Sequence, residues 1–212
     1  MLDAIATDKA RSFVDRLANV RLPDVFNPYS DSCPYYDLPR APSIRRRNLE
    51  LVLAAALSAE EIELWIAQDL GRLGGRRTGL ALTDEMRFPD LEAHWGISGI
   101  ARATSGEAVG EPTAGYVWKA LNSRSKKVFL WNVFPFQPHP EGRPLRNRGH
   151  TREEASITRW TLDWVLSELV PTRVVAIGRF AEGRLNDRGV THTMVRHPGR
   201  GGGPTFLKQI LV

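Results

Sequence analysis

A three-layer α/β/α sandwich around a central, mostly parallel sheet of about four strands is the fold class the sequence predicts. Two observations predict it. Apolar runs of strand length occur at residues 62–67, 128–131 and 174–177, with stretches of helical periodicity between them, a pattern that indicates parallel strands joined by right-handed crossovers. Each run also ends on a polar or conformationally free residue: Gln68 and Asp69 after the first, Asn132 after the second, Gly178 after the third. Strand exits in a parallel sheet point to one edge. These residues, with His197 behind a shorter run at 191–195, are therefore expected to share one crevice.

The chain of 212 residues suits one domain, residues 1–212, and its 42% hydrophobic content fits a globular core. No window approaches the roughly 18 uninterrupted apolar residues of a membrane helix, and the opening MLDAIATDKARSF has no basic segment followed by an apolar one. A soluble, cytoplasmic monomer without membrane contact is expected. The formal charge of +5 comes from 29 basic against 24 acidic residues, with Arg far in excess of Lys. Such a bias suits bidentate phosphate contact and permits nucleic acid as a partner, although genomic base composition produces it too. Cys33 is the only cysteine, which excludes an intrachain disulfide and any four-cysteine zinc or iron–sulfur site and leaves a small buried residue as its expected role.

In chain order, residues 8–19 place Phe13, Val14, Leu17 and Ala18 at helical spacing and form an amphipathic helix. Residues 21–42 are irregular because repeated prolines prevent helix. Tyr29, Tyr35 and Tyr36 give that stretch flat contact surface, as a brace across the core or as a binding lip. Ser43 is the expected cap of the next helix, which carries Arg45, Arg46 and Arg47 in its first turn and Leu49, Leu51, Val52 and Leu53 inward. Cations there oppose the helix dipole, so a compensating phosphate or carboxylate, or a solvated face, is expected.

The strand at 62–67 then breaks into Gln68-Asp69 and a loop holding Gly71, Gly74, Gly75 and Gly79. A carboxylate at a strand end, beside backbone that glycine lets approach a ligand closely, sits where open α/β sheets bind ligands. Residues 84–95 read as a short helix interrupted by Pro89, 96–110 as a loop, and Pro112 as the start of a helix bearing Tyr116, Val117, Trp118 and Leu121. After Asn132 a loop runs to His150. Thr151 and Glu154 form a capping box for a long helix with Ile157, Trp160, Leu162, Trp164, Val165 and Leu169 available for packing. Pro171 ends it, and the strand at 174–177 leads through Gly178 into another helix. The strand at 191–195 exits through Arg196-His197-Pro198 into a flexible loop, 199–203, before a terminal helix from Pro204.

Ala67-Gln68-Asp69 with its glycine loop, Leu130-Trp131-Asn132, and His197-Pro198 before a Gly-rich turn stand in this order at strand exits. Together they resemble the uracil-DNA glycosylase superfamily over residues 27–206, and VVAIGR at 174–179 is similar to its third core strand. The resemblance implies a DNA repair hydrolase that cleaves the N-glycosidic bond of uracil flipped out of DNA and leaves an abasic site. It implies a monofunctional enzyme without metal or cofactor, with uracil-containing DNA as partner and free uracil as product. The absent cysteines place the chain outside the iron–sulfur branches.

Breaking that bond puts positive charge on the sugar and negative charge on the departing base, so the site needs an anion near the sugar and donors at the base oxygens. By resemblance Asp69 is the water-orienting carboxylate and His197 the group that stabilises the uracil anion at O2. Asn132 matches the amide that accepts from N3–H and donates to O4, and the backbone of Gln68 adds a donor. Gly71 stands where the best-known branch has a tyrosine that excludes thymine's methyl group, and Leu82 where an aromatic stacks on the base. Phe134, Phe136 and Phe88 are the candidate substitutes. Arg200 takes the place of an apolar wedge, and the loop with Gly199 and Gly201 offers backbone N–H groups to phosphate. Arg76, Arg77, Arg143, Arg146, Arg148 and Arg196 are candidate contacts to the DNA backbone.

Structural roles stand beside these: Asp69 as a helix-capping carboxylate, His197 as a satisfied loop histidine, Asn132 as a tie for the 133–150 loop. Two other functions remain open: a glycosylase for hypoxanthine, xanthine or mismatched thymine, and a non-catalytic module that binds damaged DNA. A P-loop enzyme is disfavoured, because the glycine loop lacks the lysine and hydroxyl spacing.

Overall fold

The structure, a computed structural model, describes residues 3–211. Helix α1 (Ala4–Ala18) starts on an Asp3 cap, strand β1 (Val25–Phe26) is short, and α2 (Ala41–Leu57) leads into the central strand β2 (Ile62–Asp69). The glycine loop contains a single turn, α3 (Gly75–Thr78); a 3₁₀ turn (Glu85–Arg87) then runs into α4 (Phe88–Trp95). Next come α5 (Pro112–Leu121), β3 (Lys127–Phe134), β4 (Gln137–Pro138) and α6 (Arg152–Leu169), which opens on the Thr151/Glu154 capping box. The chain ends through β5 (Arg173–Ile177), α7 (Arg179–Asn186), β6 (Thr193–Val195) and α8 (Gly203–Ile210).

The main sheet has the order β3-β2-β5-β6 and is parallel throughout, so the expected α/β sandwich is the fold found. β2 is buried on both faces from Ile62 to Ala67, which is why apolar residues occupy both of its faces. Glu63 interrupts that run but is compensated, since Arg124 and Arg173 pair with its carboxylate and the Trp65 indole donates to it at 3.1 Å. From β2 the chain goes to β3 on one side and later to β5 on the other. That reversal makes the carboxyl ends of β2 and β5 the crevice of the fold.

Aromatic packing fixes the layers. On one face Phe13 of α1 lies between Trp131 of β3, at 5.7 Å, and Trp164 of α6, stacked at 4.1 Å. On the other, Phe206 of α8 meets Trp65 of β2 edge-on at 6.3 Å. Among the described residues no helix is long and apolar enough to cross a membrane.

Several boundaries differ from expectation for identifiable reasons. Parallel pairing extends to Asp69 opposite Phe134, so Gln68, Asp69 and Asn132 lie within strands rather than just beyond them. Pro89 opens α4 instead of breaking a helix, because its missing N–H is harmless in the first turn. Helix α2 begins at Ala41, ahead of Ser43, and Arg40 at the cap position makes no side-chain cap. Strands β1 and β4 form a small antiparallel pair that no periodicity announced, being two residues each.

The irregular segment before α2 acts as a brace. Tyr29 is buried and donates to the Gly79 carbonyl at 2.8 Å, and Arg45, fully buried, pairs with the buried Asp37 and donates to the Arg77 carbonyl at 3.0 Å. Because the helix begins at Ala41, Arg45 lies past the first turn, and its partner is a carboxylate of the protein. Arg45→Ala would strand the Asp37 charge in the interior, and a loss of about 3–5 kcal/mol is expected in urea unfolding. A loss below about 1 kcal/mol would mean that the pair contributes little beyond packing.

Candidate active site

A cleft of about 490 Å³ opens at the carboxyl edge of the sheet, within the range of small-ligand sites. Its walls include Gln68 and Asp69 from the end of β2, Gly71 and Leu82 from the loops that follow, and His197 and Arg200 from the loop after β6. Glu111 and Thr113 at the start of α5, and Asn147, Arg148 and Gly149 ahead of α6, also line it, with Ala67 and Leu70 on either side of the Gln68-Asp69 pair.

Asp69 has a side chain 13% exposed, and burial raises its carboxyl pKa above the usual range. Hydrogen bonds from His150 and Gln68 oppose that shift. His150 is the closest polar partner: its Nδ1 meets Asp69 Oδ1, its ring is 1% exposed, and it is stacked on Phe134 at 4.9 Å and edge-on to Phe180 at 4.8 Å.

His197 has its Nδ1 occupied as acceptor of the Gly199 N–H at 3.0 Å. Burial lowers its pKa, and the neighbouring Arg196 lowers it further, so at neutral pH the ring is uncharged and its single proton sits on Nε2. Gly178, with φ of +92° at the exit of β5, packs against this ring; a side chain there would lie 3.2 Å from His197 Cβ.

Asn132 pairs in register with Ala67, one position before Gln68; Ala67 lines the cleft and Asn132 itself does not. Its amide is 1% exposed, and neither Oδ1 nor Nδ2 has a partner among the described residues. A buried polar group without a partner costs about 1–3 kcal/mol, so this amide calls for a water or a bound molecule to satisfy it.

Other expectations need correction. Arg76 and Arg77 are interior groups, 2% and 6% exposed, and cannot present themselves to a DNA backbone. The Arg76 guanidinium lies 3.6 Å over the Phe26 ring and bonds Tyr36 and Gln137; that of Arg77 bonds Glu85 and Thr104. Arg148 is committed to Glu154 and to the His139 and Asp24 carbonyls. Phe134, Phe136 and Phe88 are buried in the core, so none of the proposed aromatic substitutes lines the cleft. Leu82 does line it. Arg143, Arg146, Arg196, Arg200 and Gly201 are exposed, and Gly199 is half-buried beside His197.

Leu82 and Arg200 also share a backbone feature. Their φ values are +52° and +51°, a left-handed conformation unfavourable for side chains larger than glycine, and it falls on both lips of one cleft. No group of three or more His, Cys, Asp or Glu able to hold a metal ion exists among the described residues.

The residues missed in the sequence are His150 and Glu111. Both immediately precede crossover helices, His150 just before the Thr151 cap and Glu111 as the cap position of α5, and such helices begin at the same sheet edge where strands exit. A histidine or carboxylate next to a helix start was the available signal.

No protein-family model matches the chain, and no curated protein matches it. The crystal structure of wild-type SMUG2 from Pedobacter heparinus is similar in fold, with a TM-score of 0.64 and 14% sequence identity over 97% of this chain and 94% of that one. At that identity the likeness is one of fold.

Glu111 gives the cleft a measurable electrostatic signature. Its carboxyl fills the space over Gly71 and Gly74 where side chains would clash with it, and burial, with the nearby Asp84, pushes its pKa up to about 7, against partial relief from Arg72. Between the ordinary value of 4.5 and about 7 the folded protein holds a proton that the unfolded chain has lost, so this group makes stability fall as pH rises through that window. Glu111→Gln is expected to gain stability relative to wild type as pH rises from 5 to 8, by on the order of 1–3 kcal/mol in denaturant unfolding. A gap independent of pH would contradict the shifted ionisation.

Proposed function

We propose that the protein is a DNA glycosylase that hydrolyses the N-glycosidic bond of uracil flipped out of DNA. The observation that carries this reading is the orphaned amide of Asn132, buried beside a cleft that already holds Asp69 and His197. Uracil presents N3–H and O4 side by side, which one amide satisfies with Oδ1 and Nδ2; cytosine reverses both functions. The fold shared with SMUG2 supports the same assignment.

The chemistry follows from charge. As the C1′–N1 bond breaks, its electron pair leaves with the base and the sugar becomes cationic. The Asp69 carboxylate offsets that cation and orients the water whose oxygen bonds to C1′, taking its proton. An uncharged His197, its proton on Nε2, donates to the O2 of the departing anion. Depression of its pKa keeps the ring a hydrogen-bond donor rather than an acid at neutral pH. Asp69 must be ionised to act, so activity falls with pH as its raised pKa is approached from above.

A broader base preference is favoured by one feature. The wall over Gly71 is the Glu111 carboxyl, which can donate when protonated and accept when ionised, so hypoxanthine, xanthine and mismatched thymine belong in the substrate panel.

Free uracil is expected from a uracil-containing oligonucleotide in the presence of a chelator. Asp69→Asn and His197→Ala are each expected to lower that rate roughly 10²–10⁴-fold, with oligonucleotide binding retained. An intact oligonucleotide after incubation across pH and salt would refute the assignment; salt-sensitive binding without base release would make the protein a damage-binding module instead.

A further inference from the structure

Resting on the glycosylase reading, we infer that His150 is a positioning residue for Asp69: the buried imidazole holds one carboxylate oxygen so that the other faces the attacking water. The ring has no freedom to do otherwise. Phe134 covers one of its faces at an interplanar angle of 25°, Phe180 meets it edge-on at 89°, and Nδ1 is bound to Asp69 Oδ1.

Nε2 is buried and has no partner among the described residues. A proton on that atom would be stranded, whereas a proton on Nδ1 has an ionised acceptor in front of it, so the packing selects the tautomer that donates to Asp69. The hydrogen bond is charge-assisted and favours the carboxylate over the acid. It works against the burial that raises the Asp69 pKa.

The charged surroundings of the dyad are few. From β2 the partner is Asp69 itself; from the preceding loop it is Arg148, and from α6 Glu154, which are bonded to each other. From β3 and α7 the ring meets the aromatic side chains of Phe134 and Phe180. With Oδ1 committed to His150, the remaining oxygen of Asp69 is Oδ2, on a side chain that lines the cleft. His150 does not itself line the cleft, so its influence on substrate passes through the carboxylate.

The test compares His150→Leu, which keeps an apolar filler between the two phenylalanines, with His150→Asn, whose amide N–H replaces Nδ1–H. In His150→Leu, kcat for uracil release is expected to fall roughly 10–100-fold with KM changed less than about twofold, and the acid limb of the kcat profile to move up by about 1–2 pH units. His150→Asn is expected to recover part of the rate and return the limb toward wild type. Equal losses in both variants without a shift of the limb would reduce His150 to a packing residue and overturn the inference. So would a wild-type profile in His150→Leu.

Titration of the Asp69 carboxyl carbon by NMR separates this inference from the assignment of function. A higher Asp69 pKa in His150→Leu supports the positioning role even if wild-type protein releases no base, an outcome that would defeat the glycosylase assignment alone. An unmoved Asp69 titration overturns the inference whatever the activity.

Discussion

The parallel pairing of β2 between β3 and β5 is the constraint on which everything else depends. Its buried length from Ile62 to Ala67 is anchored by hydrogen bonds on both sides, and the pairing with β3 continues through Asp69 opposite Phe134. A shift of one residue would turn Asp69 toward the opposite face and place a core side chain at the cleft. The site is therefore specified by the same register that buries Leu64, Trp65 and Ile66, so folding energy and chemical geometry are not separable here.

Burial then acts on the ionisable groups at that edge in one direction. Desolvation raises Asp69 and Glu111 and lowers His197, in each case favouring the uncharged form. The groups differ in what answers that pressure. Asp69 has His150 and Gln68 as donors and is held back toward its anion; Glu111 has a repulsive neighbour in Asp84 and moves to about 7; His197 has only Arg196, which pushes the same way as burial. One cleft thus holds three ionisable groups displaced from their ordinary ranges to different extents, because each has different neighbours answering the same burial.

Arginine is used in two ways that composition alone does not distinguish. Arg45, Arg76 and Arg77 are interior braces, each with a carboxylate, amide or hydroxyl partner and each beside an aromatic ring. They tie the irregular segment around Tyr29, Tyr36 and Asp37 to the glycine loop and hold the cleft wall in place. Arg196 and Arg200 stay in solvent on the loop that carries His197. The excess of positive charge is thus partly structural, and the surface available to an anionic partner is narrower than the net charge of +5 suggests.

The sequence by itself determined the fold class, because apolar runs separated by helical periodicity have few other solutions, and it placed Asp69, Asn132 and His197 at one edge, because parallel strands all exit there. It also fixed the start of α6 through the Thr151/Glu154 box. Only the tertiary structure decided which side chains are spent inside the protein and which face the cleft, since Arg76 and Phe134 look no different in sequence from an exposed arginine or a stacking ring until their partners, Gln137 and His150, arrive from residues far along the chain. The partnership of Asp69 with His150, across 81 positions, belongs to the same class. Long-range contacts carry no local periodicity, so packing alone brings these residues together and sets their charge.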